Sequence, residues 1–135
     1  MRLSKAFIDS NVILYALEMH PLFGEKAARV LEMVDRGKMG GVVSALVQLE
    51  VGWFLEARKR LDEIGVVLDV LQKSRLEVVS ITGEDVSMAG KLKQQYSMVE
   101  VNDLVNLCVM RRLGLTTIYT NDKHFDRFSE ITPVF

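Results

Sequence analysis

The chain has 135 residues, 49% of them hydrophobic and 26% charged, with a formal net charge of −1. That length suits one domain spanning 1–135 with a core of its own, and that composition excludes a disordered chain. The near-neutral charge excludes a general attraction to nucleic acid, so a polyanionic substrate would need local cations or bound metal ions.

The first predicted strand is "AFID" (6–9), where apolar residues run up to Asp9 and resume at Val12. Asp9 would either cap a helix starting near Val12 or bind something. Ala27, Val30, Leu31 and Val34 then repeat at helical spacing, with Gly37 as the stop. "GVVS" (41–44) reads as the second strand. It leads into the helical stretch "SALVQLEVGWFLEARKR", where Val47, Val51 and Phe54 share a face. Leu61, Ile64, Leu68 and Leu71 form a third helical stripe. The strand "LEVVSI" (76–81) follows, and Val86, Ala89 and Tyr96 suggest a fourth helix.

"VNDLVNLCVMRRLG" reads as a fifth helix, with Arg111 and Arg112 in its last turn and Gly114 as its C-terminal cap. "TTIYT" (116–120) and "ITPVF" (131–135) complete the strands. The lone cysteine, Cys108, excludes an intrachain disulfide, suits a reducing compartment and reads as a buried small hydrophobe. No apolar run approaches the ~20 residues of a membrane span, and no segment resembles a signal peptide, so a cytoplasmic protein is expected.

Strands alternating with helices predict a parallel sheet covered on both faces. Ligands of such sheets lie beyond the carboxyl ends of the strands, where strand order reverses. Asp9 stands at such an end, and three further acids share its oddness. Glu50 falls on the apolar face of its helix, Asp103 opens an apolar helix, and Asp122 follows a strand. Taken singly, Asp9, Asp103 and Asp122 read as helix caps and Glu50 as the partner of a buried arginine, Arg58 or Arg75. Taken together, they make an acidic cleft. Clustered carboxylates stay ionised only beside cations, and oxygen ligands favour Mg²⁺ or Mn²⁺. Such ions stabilise charge on phosphate oxygens and activate water, which implies phosphodiester hydrolysis.

With "FIDSNVILYAL", "SALVQLEVGW", "VNDLVNLCVMRRLG" and "IYTNDKHFDRF" in this order, the chain resembles PIN domains along its whole length. Its size and layout are those of the VapC-type toxins of toxin–antitoxin modules. The resemblance implies a three-layer α/β/α sandwich with a short parallel sheet of four to five strands. It also implies a metal-dependent endoribonuclease acting on RNA, an antitoxin protein as partner, and a homodimer. Carried over, the catalytic and metal-binding residues are Asp9, Glu50, Asp103 and Asp122, with Asn11 and Thr120 orienting a carboxylate or a bound water. Lys123 and Arg127, beside Asp122, are candidate RNA contacts, with a solvated face as the alternative. His20 and His124 lack metal-ligand spacing and read as surface residues. Asn106, one turn after Asp103, is a further candidate to face the site. Asn121 stands where the family often has a basic residue, and the helix after Asp103 is less alanine-rich than is usual.

The sequence is also compatible with three other readings. One is a PIN nuclease of RNA processing, outside any toxin system. Another is a haloacid-dehalogenase-type phosphatase with Asp9 as nucleophile, although Asn11 replaces the usual second acid. The last is a catalytically silent binding domain.

Overall fold

The computed structural model describes residues 4–135. Its centre is strand β1, Lys5–Ile8, in which Ala6, Phe7 and Ile8 are all buried. Three successive buried side chains point alternately to opposite faces, so both faces of this strand must be covered. The other strands are β2 (Gly40–Ser44), β3 (Glu77–Val79), β4 (Thr117–Tyr119) and β5 (Thr132–Val134). They form one five-stranded sheet of order β3-β2-β1-β4-β5, parallel throughout. Phe7 lies opposite Val42 on one side and Ile118 on the other.

Parallel neighbours need crossover connections, and helices supply them. Helices α1 (Ser10–Leu17) and α2 (Gly24–Asp35) link β1 to β2, and α3 (Ala45–Ala57) and α4 (Leu61–Lys73) link β2 to β3. Helices α5 (Gly83–Leu92) and α6 (Val101–Leu113) link β3 to β4, and a short 3-10 helix, Lys123–Arg127, lies between β4 and β5. The result is the expected α/β/α sandwich. Leu55, Leu104, Leu107 and Met110 from the helices are fully buried with Val43 and Ile118 of the sheet. Among the described residues no helix is long and apolar enough to cross a membrane.

Local chemistry sets most boundaries. Gly37 and Gly114 both take positive φ, +72° and +70°, just beyond α2 and α6, where a side chain would be strained. Thr82 and Asp85 form a reciprocal capping box that starts α5. That box corrects the stripe expected from Val86, Ala89 and Tyr96. Asp85 and Ala89 form the buried face of α5, whereas Val86 is exposed and the helix ends at Leu92. Asp85 turns inward because Arg112 of α6 reaches it at 2.9 Å. Tyr96 lies beyond the helix and packs edge-on against Phe128, ring centroids 4.8 Å apart. The third stripe is also thinner than its pattern suggests: Leu71 is buried, but Leu61 is exposed.

The strand order determines where the acids meet. The chain moves from β1 to β2 to β3 on one side, then returns to lay β4 on the opposite side of β1. The reversal falls between β1 and β4, with Asp9 directly after one and Asp122 shortly after the other.

Candidate active site at the carboxyl edge of the sheet

Asp9 is buried, at 4% exposure, and both its oxygens are engaged. Oδ1 accepts from the Ser10 backbone N–H at 2.8 Å, so Asp9 does cap α1. Oδ2 accepts from Thr120 Oγ1 at 2.8 Å and from Asn11 Nδ2 at 3.2 Å. Asp9 therefore serves as cap and cleft carboxylate at once. Asn11 also binds Thr120 Oγ1 at 3.2 Å, and its Oδ1 accepts the Asn121 backbone N–H at 3.2 Å. Asn121 spends its side chain on the Tyr15 hydroxyl, 3.1 Å away.

Asp122 caps the 3-10 helix through His124 N, at 2.9 Å. The cap reading fails for Asp103. Glu100 occupies the cap position of α6, and Asp103 lies in the first helical turn, at the positive end of the helix.

Glu50 emerges from the middle of α3. The arginine-partner reading fails for it, because Arg58 lies over the Phe54 ring instead, at 3.6 Å, and Arg75 approaches Gly37. Glu50 Oε1 is buried without a hydrogen-bond partner among the described residues. Such an atom is costly unless a cation or a proton satisfies it.

The electrostatics agree with that shortfall. Burial first, then the charge of Asp9, pushes the Glu50 carboxyl up to about 7, with Asn102 and Ser10 offsetting only part of the shift. Burial, the Asp9 charge and the proximity of Asp122 and Glu50 push Asp103 up to about 8. Asp9 is also raised, by burial above all, although Thr120 and Ser10 oppose the rise. Asp9, Glu50 and Asp103 are thus each raised in part by neighbouring carboxylates, Asp122 being one of those neighbours for Asp9 and Asp103. Among the described residues no lysine or arginine forms an ion pair with any of them.

Asp103, Asp122 and His124 bring donor atoms within 4.8 Å of one another, close enough to share a metal ion. Sequence reasoning placed His124 on the surface, yet it is half-buried with Nδ1 3.3 Å from Asp122 Oδ1. The available signal was its position two residues after an acid that caps a tight turn. Lys123 and Arg127 are exposed on the same 3-10 helix, and among the described residues neither is ion-paired. Asn106 does not join the acids. It is fully buried, and its Oδ1 accepts from Ser44 Oγ at 2.6 Å. Because Ser44 caps α3, that bond ties the helix carrying Glu50 to the helix carrying Asp103.

Carboxylates that are buried or half-buried, repel one another and are partly unpartnered, with the His124 ring beside two of them, form a donor set that fits a divalent cation. Fold and site together define a parallel α/β sandwich with an acidic cluster at its topological switch point. The chain belongs to the PIN domain family, whose model matches residues 6–131.

Solved structures share the fold at low sequence identity. The chain is similar to VapC20 of Mycobacterium tuberculosis, a sarcin–ricin-loop-cleaving toxin, with a TM-score of 0.75 and 20% identity over 96% of this chain and 100% of that one. It is also similar to VapBC2 of Rickettsia felis bound to a promoter DNA fragment, with a TM-score of 0.73 and 19% identity, covering 96% and 97% of the two chains. DNA-bound VapBC of Salmonella typhimurium gives a TM-score of 0.70 and 17% identity, with 98% of each chain covered. A comparison with curated protein sequences finds no significant match.

Proposed function

We propose that this protein is a divalent-metal-dependent endoribonuclease, the toxin of a toxin–antitoxin pair working in the cytoplasm. The observation that carries this reading is the convergence of four carboxylates with no ion pair to a lysine or arginine among the described residues. Membership of the PIN family and the likeness to VapC structures support it.

Asp9, Asp103 and Asp122 would hold Mg²⁺ or Mn²⁺, with Glu50 beside them. The ion would supply positive charge for the phosphate oxygens of the scissile bond and lower the pKa of the attacking water. Thr120 and Asn11 would orient Asp9 through its Oδ2. Glu50 would accept the proton of the attacking water, a role open to its Oε1, which has no hydrogen-bond partner among the described residues. Lys123 and Arg127 would meet RNA phosphates flanking the cleft.

The deciding experiment is cleavage of single-stranded RNA with Mn²⁺ by the wild-type protein and by Asp9→Asn. Loss of cleavage in the variant, and in wild type treated with a chelator, is the expected result. Equal cleavage by both proteins would overturn the assignment. The similar structures that contain VapBC complexes support an antitoxin partner, and the exposed Leu49 and Trp53 of α3 suit a homodimer. A small DNA-binding protein encoded beside this chain would distinguish a toxin from an RNA-processing PIN nuclease.

A further inference from the structure

A cavity of about 380 Å³ opens beside the acidic cleft, between α1 and the end of α3. Asn11, Tyr15, Glu18, His20, Phe54 and Arg58 line it. Two of its lining residues reach the acidic site by hydrogen bonds. Asn11 bonds Asp9 Oδ2, and the Tyr15 hydroxyl accepts from Asn121, the neighbour of Asp122.

Its charge is the informative feature. Glu18, the acid on its wall, is already bound by Arg60 at 2.5 Å. Arg58 has no carboxylate partner among the described residues and lies over Phe54, its guanidinium carbon 3.6 Å from the ring centroid. The pocket therefore presents a cation without an ion-pair partner among the described residues, held over an aromatic face, with Tyr15 also on its wall.

Single-stranded RNA is recognised by such surfaces, through bases stacked on aromatic rings and arginine planes. Arg58 also supplies a local cation on a chain whose net charge is −1. We infer that this cavity takes a nucleobase of the substrate strand next to the scissile phosphate, with Phe54 and Arg58 forming the stacking platform. The inference rests on the ribonuclease reading above. An apolar side chain of a protein partner is the competing occupant.

The test measures binding of fluorescein-labelled single-stranded RNA oligomers, intact or with abasic positions, to the Asp9→Asn protein with Mn²⁺. Phe54→Leu and Arg58→Gln are then added separately. Arg58 is exposed, so its variant stays folded even if loss of the Phe54 ring disturbs packing. A roughly tenfold loss of affinity is expected from either substitution, the size of effect that one stacking platform carries. The abasic oligomer that empties the pocket should show the same loss, and the variants should no longer respond to it. Unchanged RNA affinity in Arg58→Gln, with intact and abasic oligomers bound alike, would overturn the inference and leave the cavity to a protein partner. Failure of the nuclease reading would show separately, as wild-type protein that binds RNA without cutting it.

Discussion

Thr120 Oγ1 donates a 2.8 Å hydrogen bond to Asp9 Oδ2, joining residues 111 positions apart in the chain. The same hydroxyl accepts from Asn11 Nδ2 at 3.2 Å and from the Asp122 backbone N–H at 3.0 Å. A hydroxyl has one donor and two acceptor positions, and all are used. One small side chain therefore sets the spacing between the first and last acids of the cleft. Thr120→Val keeps the volume and leaves three polar groups without that partner. The expected cost is about 1–3 kcal/mol, read by urea denaturation. Thr120→Ser should recover most of it; a valine variant as stable as wild type would sink this account.

Glu50→Gln separates stability from activity. The carboxyl is held at about 7 by burial and by the charge of Asp9, so its ionised form opposes folding. The amide should be at least as stable as wild type at pH 8 in chelator, while RNA cleavage falls about 10²–10⁴-fold, the range for a lost general base. Cleavage at the wild-type rate would remove Glu50 from the mechanism.

The metal-free protein should lose stability as the pH rises. Asp103 and Glu50 have folded values of about 8 and 7 against ordinary values of 3.8 and 4.5. Between those limits the folded state binds more protons than the unfolded state, so the stability these groups allow is complete below pH 4 and is lost through pH 7 to 8. Melting temperature in chelator should therefore fall from pH 5 to pH 8.5, and Asp103→Asn should flatten the fall. Mn²⁺ should reverse it and release protons on binding at pH 7, measurable by calorimetry in buffers of different ionisation enthalpy. Binding without proton release would contradict the perturbed values.

Arg112 stabilises by the opposite sign of linkage. It donates to both carboxylate oxygens of the buried Asp85, at 3.3 and 2.9 Å, and to the Ser80 carbonyl at 2.9 Å. Burial would raise the Asp85 carboxyl, but the bonds from Arg112 and Thr82 outweigh it and hold the group below its ordinary value. The resulting stability is present above pH 4 and lost as the pH falls through the depressed folded value. Arg112→Ala should lower the melting temperature at pH 7, because it leaves the buried Asp85 carboxylate without its cation. Thermal melts of the two proteins should converge in acid.

Much of the architecture was legible because it is written in local chemistry. Short β-branched runs between amphipathic stretches predict a parallel α/β sheet, and the strands lie within a residue or two of their expected bounds. Gly37 and Gly114 mark helix ends by a backbone conformation that other residues resist. Periodicity failed where a long-range contact overrode it. Asp85 faces inward because Arg112, 27 positions away, meets it there. Tyr96 leaves the helical stripe to pack on Phe128.

The candidate site divides in the same way. That Asp9, Glu50, Asp103 and Asp122 sit in apolar company is a property of the sequence, because a carboxylate in such a setting needs a reason. Whether each acid acts as a cap, an ion pair or part of a cleft is not local. Asp9 and Asp122 prove to be caps that also lie among the clustered acids, Asp103 is not a cap, and Glu50 pairs with no arginine among the described residues. His124 joined the group only through the tight turn that Asp122 caps, and Asn106 left it for Ser44.

The sequence by itself determined the element types and the list of misplaced acids, since propensity, spacing and side-chain polarity act within a few residues. Only the tertiary structure decided that these acids share one cleft. That depends on β4 returning to the free side of β1, and no local preference encodes which neighbour a strand will choose.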